Sequence, residues 1–301
     1  MDYVLGTANL GLPYGKALAR ELPDEDRVSS ILSCAEALGI SWLDTAAAYG
    51  KAQARIGRYF ARTPGRIPFR VSSKLPPVLN SDDAHIGVVV QEIITSLQDT
   101  LGHNRIDQLL LHRWSQYCEA GNGIWTTLCA LRQAGYIGRL GASIQNSEEA
   151  IAALNAPGIE TMQLACNILD WRYDEPEIAS LLVERPIRIE IRSVFLQGLL
   201  THTEGVRFPT TAESYDAGAI RSFLALAANE LAQGDIVALC LRYVAGLGWA
   251  DAIVFGVDNC RQLEEIMAAL SAGPFPADVM HWIRSQRPYV PASFLDPAQW
   301  A

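Results

Sequence analysis

Asp44, Tyr49, Lys74 and His112 are the side chains whose types and positions in this sequence suggest shared chemistry. Three of them close short apolar runs: ISWLD for Asp44, RVSSK for Lys74 and LLLH for His112. Tyr49 follows in the stretch AAAYG. A tyrosine with an ordinary pKa near ~10 is a poor proton donor at neutral pH. An ammonium beside it favours the phenolate, and a carboxylate behind the ammonium keeps that cation charged and in place. A histidine can hydrogen-bond a carbonyl oxygen and orient it. Together the four could deliver a proton to the alkoxide that forms when a hydride reaches a carbonyl carbon.

Singly, each has an ordinary reading. Asp44 could cap a helix, Lys74 before Leu-Pro-Pro could simply end a strand, His112 could be a satisfied core histidine, and Tyr49 could pack at a turn. What favours a site is their joint arrival at consecutive strand ends, because a (β/α)8 barrel presents its reactive face there.

The elements that would hold them follow a regular rhythm. Strands are expected at Tyr3–Gly6, Ile40–Asp44, Phe69–Lys74, Asp107–His112, Arg139–Ser143, Thr161–Cys166, Ile187–Ser193 and Ala252–Gly256. Helical spacing of apolar residues fills the gaps: Glu25–Leu38, Asp83–Leu101, Gly123–Ala134, Ser147–Leu154, Glu175–Val183, Glu213–Gln233, Ile236–Gly246 and Cys260–Leu270. Leu199–Thr211 reads as a long loop. Strictly alternating strands and helices imply a parallel sheet covered by helices. Eight units suit a closed (β/α)8 TIM barrel, an α/β fold forming one domain over residues 1–301. A doubly wound dinucleotide fold would need GxGxxG after the first strand, and the sequence there is GTANLGLPYG.

Composition narrows the partners. Half of the 301 residues are hydrophobic and the net charge is −9, which argues against nucleic acid and against an anionic membrane surface. No apolar run is long enough for a membrane span, and MDYVLGTANLG lacks the basic start of a signal peptide, so a cytoplasmic location is expected. The six cysteines, Cys34, Cys118, Cys129, Cys166, Cys240 and Cys260, form no CxxC pair and no zinc spacing. They read as buried, reduced thiols without a chemical task, and no metal is expected. His85 and His103 look solvated. Arg113 and Trp114, Trp171 and Arg172, and Pro13 and Tyr14 each either line the pocket mouth or pack near it.

The stretch Asp44-Thr45-Ala46-Ala47-Ala48-Tyr49-Gly50 resembles the D-T-A-x-x-Y-G motif of the aldo-keto reductase superfamily, with Lys74 and His112 ending the next two strands. The resemblance runs from Gly6-Thr7 through Gly141–Ser143, Gln163–Asn167 and Gln197–Leu200 to Gly256–Glu265. It implies an NAD(P)(H)-dependent carbonyl or alcohol oxidoreductase acting on a small molecule, with Tyr49 as general acid/base, Lys74 and Asp44 tuning it, and His112 orienting substrate. NADPH/NADP+ is the cofactor it implies, with NADH/NAD+ left open. Gly6 and Thr7 belong to the resembling cofactor wall. Ser143 and Gln163 would grip the nicotinamide carboxamide. Arg192, Ser193, Phe195, Gln197, Gly198 and Leu199 would lie along the ring and pyrophosphate. Gly256 and Val257 would open the last helix towards phosphate, with Asp258, Arg261, Gln262 and Glu265 at the adenosine end.

Three departures stand out. Ile144 replaces the usual Asn after Gly-x-Ser, Ile266 replaces a final Asn, and Arg192 stands where many members stack an aromatic ring. Two other functions use the same residues: a redox-neutral isomerase, epimerase or eliminase, and a cofactor-binding regulatory subunit. Substrate and oligomeric state are not encoded in any motif.

Overall fold

Eight parallel strands close on themselves in chain order: β1 Asp2–Gly6, β2 Trp42–Asp44, β3 Arg70–Leu75, β4 Ile106–Leu111, β5 Ile137–Ile144, β6 Thr161–Ala165, β7 Arg188–Arg192 and β8 Ala252–Phe255. Closure is made by β8 against β1, where Leu5 pairs with Phe255. The computed structural model describes the chain except residues 16–20, 63–65, 77–85, 120–122, 185, 202–207 and 301, and except the side chains of 86, 118 and 119. His85, the Cys118 side chain, the expected helical start at 83–85 and the middle of the Leu199–Thr211 loop therefore lie outside the described residues.

The expected eight-strand barrel is the observed one, with ends shifted by a few residues. β4 stops at Leu111, so His112 stands just past the strand, and β5 begins at Ile137 rather than Arg139. The expected Glu213 start moves to Ala217 because Asp216 is the cap: its carboxylate accepts from Ala219 N at 2.9 Å. Two longer helices escaped the periodicity, Ala52–Ala61 and Ala277–Gln286. The inward face of the first includes Gln53 and Arg55 beside Ile56 and Phe60, which breaks the apolar spacing. Arg55 is tolerated there because it pairs with Glu25 at 2.9 Å and donates to the Leu10 carbonyl. The second helix buries only Met280 and Ile283.

Two clusters make the interior. Val4, Trp42, Ala252 and Val254 form a small group in which Trp42 stands near the start of its strand, with the Arg70 and Arg188 guanidinia each 5.6 Å from its ring. The larger cluster fills the shell between strands and helices. The barrel interior also holds polar side chains, with Asp44, Lys74, Gln163 and Glu190 all buried. Among the described residues no single helix is long and apolar enough to cross a membrane, and no group of three or more metal-ligating side chains occurs.

Candidate active site

A cleft of about 870 Å³ opens at the C-terminal strand ends and is lined by Asp44, Tyr49, Lys74 and His112 together. Its floor is an ion pair. Lys74 is fully buried at the end of β3, and its Nζ lies 2.6 Å from Asp44 Oδ1 at the end of β2. Lys74 Nζ also donates to the Thr45 carbonyl at 3.2 Å and sits 5.1 Å from the Tyr49 ring centre. Burial alone would push the ammonium down. The negative charge of Asp44 and the contact with Tyr49 outweigh it, so Lys74 is held above its ordinary value.

His112 stands edge-on to Tyr49 with ring centres 6.2 Å apart. Burial, then the positive charges of Lys74 and Arg192, push its pKa down to about 4. The ring is therefore neutral at neutral pH, able to donate from one nitrogen without adding a cation. Its Nδ1 is buried and has no partner.

Tyr49 owes its position to two glycines. Gly50 adopts φ +55, a left-handed conformation that glycine enters at little cost, and Lys51 N then donates to the Gly11 carbonyl at 3.0 Å. This locks the tyrosine turn onto the segment after β1.

Gly6, Ser143, Arg192 and Ser193 line the same cleft, as do Phe195, Gln197, Gly198, Gly256, Gln262 and Glu265. Four expected residues are instead buried behind its wall. Thr7 donates through Oγ1 to the Asp44 carbonyl at 2.9 Å, while Leu199 and Val257 pack in the core. Gln163 is fully buried; its Nε2 donates to Asp44 Oδ1 at 2.8 Å and, more weakly, to Glu190 at 3.3 Å. Asp44 Oδ1 thus accepts from both Lys74 and Gln163. Asp258 lies in a neighbouring cavity of about 180 Å³ with Asn9 and Arg27, and Arg27 Nε donates to the Asp258 carbonyl at 2.6 Å. Arg261 is 86% exposed and paired with Glu265 at 2.8 Å.

The wall after β7 is conformationally unusual. Ser193, Leu196 and Gln197 all have positive φ, at 62, 46 and 57. Such backbone costs energy in non-glycine residues and tends to mark functional loops. Arg192 reaches from β7 to the end of β5, where Nη2 donates to Gln145 Oε1 and to the Ile144 carbonyl; Nη1 meets Ser193 Oγ at 3.3 Å. Its Nε is buried without a partner.

Asn9, Gln145, Glu149 and Asp296 also line the cleft and were not singled out from sequence. Asn9 and Gln145 follow shortly after β1 and β5, a signal that was available. Asp296 arrives from the C-terminal tail, which nothing local announces. Arg113, Trp114 and Tyr14 belong to the lining. Arg172 and Trp171 do not: Arg172 pairs with Asp170 at 2.6 Å, and Trp171 donates to the Val290 carbonyl. His103 corrects an expectation, being buried 4.7 Å from the Phe60 ring with Nδ1 2.8 Å from the Leu101 carbonyl. Of the cysteines, Cys166 and Cys240 are buried as expected, while Cys34, Cys129 and Cys260 are half-buried.

The chain matches the aldo/keto reductase family over residues 3–287. It belongs to that family. Aldo/keto reductases use nicotinamide cofactors to interconvert small carbonyl compounds and alcohols, and this one is an oxidoreductase of that general kind. Among solved structures, an aldo-keto reductase from Bacillus halodurans in its holo form matches with TM-score 0.78 and 18% identity, over 96% of this chain and 93% of that one. A glycerol dehydrogenase from Gluconobacter oxydans matches with TM-score 0.71 and 19% identity, over 94% and 90%. At such identities the likeness is one of fold, which carries many chemistries. No curated protein matches this aldo/keto reductase by sequence.

Proposed function

We propose that this aldo/keto reductase is an NAD(P)(H)-dependent enzyme interconverting an aldehyde or ketone with its alcohol, and that Tyr49 is the general acid/base. The observation that carries the reading is the buried Asp44–Lys74 pair at 2.6 Å with Lys74 Nζ 5.1 Å from the Tyr49 ring centre.

The donor set fits a nicotinamide dinucleotide. Ser143 and Arg192 line the cleft, residues of the left-handed turn at Ser193–Gln197 form part of its wall, and Gly256 precedes the helix Cys260–Ser271. A first-turn helix N-terminus suits phosphate. Arg261 is the cation available to a 2′-phosphate and Asp258 the group opposing it, and we assign NADPH, with NADH as the comparison. Gly6, Phe195, Gln197, Gly198, Gln262 and Glu265 would complete the cofactor wall, backed by Thr7, Leu199 and Val257. Gln163 would act through Asp44, since its amide is already engaged there.

The bound cofactor supplies or accepts a hydride. Tyr49 donates its phenolic proton to the substrate oxygen in reduction and takes it back in oxidation. Lys74 lowers the cost of the phenolate left behind, and Asp44 keeps that ammonium charged within the barrel. Neutral His112 donates a hydrogen bond that orients the carbonyl oxygen beside the phenol. Proton transfer of this kind is worth about 10²–10⁴-fold in rate.

The direct test is a panel of aldehydes and ketones offered with NADPH and with NADH, following the absorbance of the reduced nicotinamide. Loss of that absorbance in step with alcohol formation supports the proposal. Substrate turnover with no change in absorbance points instead to a redox-neutral isomerase or eliminase. Cofactor binding without turnover of any compound points to a regulatory subunit.

A further inference from the structure

Cys34 and Cys260 meet where the helix Glu25–Ala37 packs on the N-terminus of the helix Cys260–Ser271. The Cys34 sulfur lies 3.9 Å from the Cys260 carbonyl, and after burial the Cys260 thiol is the neighbour that most raises the Cys34 thiol. Cys260 Sγ is also 3.2 Å from Ser30 Oγ and 3.4 Å from the Ser30 carbonyl, one turn before Cys34. Both thiols are half-buried and open to a small oxidant, unlike the buried Cys166 and Cys240. Neither takes part in the proton chemistry above.

We propose that Cys34 and Cys260 form a reversible disulfide whose formation weakens cofactor binding at the Gln262–Glu265 end of the cleft. The cofactor half of this inference rests on the reading of the cleft as a nicotinamide dinucleotide site.

With a hydroperoxide as oxidant, the electrons balance in two steps. The Cys34 thiol is pushed up to about 11 by burial and by the Cys260 thiol beside it, so it stays protonated and the first attack falls to Cys260. Its sulfur bonds to one peroxide oxygen, the O–O bond breaks, and the departing oxygen leaves as water or, for an organic peroxide, as the alcohol. The Cys260 sulfenic acid is then attacked by the Cys34 sulfur, which gives up its proton as the sulfenic hydroxyl leaves as water. The two sulfurs together lose two electrons and the peroxide gains them.

A disulfide draws its sulfurs to about 2.05 Å, moving the first turn of the helix Cys260–Ser271 towards the helix Glu25–Ala37. That turn carries Gln262, whose Oε1 accepts from Asp258 N at 2.7 Å, and leads to Glu265; both line the cleft. Their displacement is the route by which oxidation reaches the cofactor.

The test treats the full chain with hydrogen peroxide, maps unreduced peptides by mass spectrometry, and titrates NADPH against protein fluorescence before oxidation, after it, and after dithiothreitol. A peptide joining Cys34 to Cys260 is expected, together with an NADPH Kd raised about fivefold or more and restored by reduction. Cys34→Ser and Cys260→Ser should lack the cross-link and keep an NADPH Kd that peroxide does not change. Sulfinic acid at Cys260 without a cross-link, a link through other cysteines, or a cross-link that leaves the Kd unchanged overturns the proposal. Reduced protein that does not bind NADPH at all would sink the cofactor reading instead, while the cross-link would still decide the disulfide.

Discussion

Gly11 and Tyr49 are packed backbone to backbone: a Cβ at Gly11 would fall 1.8 Å from the Tyr49 carbonyl oxygen and 2.5 Å from Ala52 N. Gly11 carries no chemistry, yet it decides where the phenol stands. Gly11→Ala must push the tyrosine turn off the β1 side of the cleft. The expected result is a fall in kcat of about a hundredfold, since displacements near 1 Å have such effects. Far-ultraviolet circular dichroism should remain close to wild type. Unchanged kcat in a folded G11A variant would show that the turn does not position Tyr49.

Removing the ammonium should expose how much the barrel floor depends on it. Lys74→Met leaves the buried Asp44 with Gln163 as its remaining side-chain donor among the described residues, and breaking a buried pair in this way destabilises by about 3–5 kcal/mol. Denaturant unfolding at neutral pH should show that loss, and activity should vanish with it. A K74M protein as stable as wild type would mean that Asp44 is protonated or solvated.

His112 gives a prediction in pH. Its pKa falls from 6.5 unfolded to about 4 folded, so between those values the unfolded chain binds the proton first and stability drops as the pH falls. The contribution is fully present above pH 6.5. His112→Asn should therefore flatten the decline in Tm across that interval, and the His112 ring signals in wild-type NMR should remain those of neutral imidazole at the pH where free histidine is already charged. A ring titrating at its ordinary value would contradict the assignment.

Arg192 is tied to Gln145 and Ile144 rather than to a carboxylate, so its charge is not cancelled by a partner. If the nicotinamide lies against it, the cationic oxidised ring is disfavoured relative to the neutral reduced one. Arg192→Gln should lower the Kd for NADP+ relative to that for NADPH by about fivefold or more, read by fluorescence titration of each. An unchanged ratio would place the ring elsewhere.

The barrel was legible in sequence because each β/α unit announces itself locally, and the strand ends then assembled Asp44, Tyr49, Lys74 and His112 without further information. The unforeseen features depend on contacts between distant parts of the chain. Gln163 reads as a cleft residue of β6, but Asp44 and Glu190 hold its amide within the barrel. The helix Ala52–Ala61 hides its inner face behind Arg55, whose burial depends on Glu25. The left-handed backbone at Ser193 and Leu196 has no glycine to advertise it. Asp296 reaches the cleft only because the tail folds back, with Phe294 packed 4.6 Å from Tyr215.

The central claim is that one phenol, held beside a buried ammonium, moves the proton. Tyr49→Phe removes that hydroxyl and leaves the packing of the ring in place. NADPH should bind Y49F with nearly the wild-type Kd, while turnover of any carbonyl substrate the wild type accepts should fall by about 10²–10⁴-fold. Turnover within a few-fold of wild type in a folded, NADPH-binding Y49F protein would contradict the account.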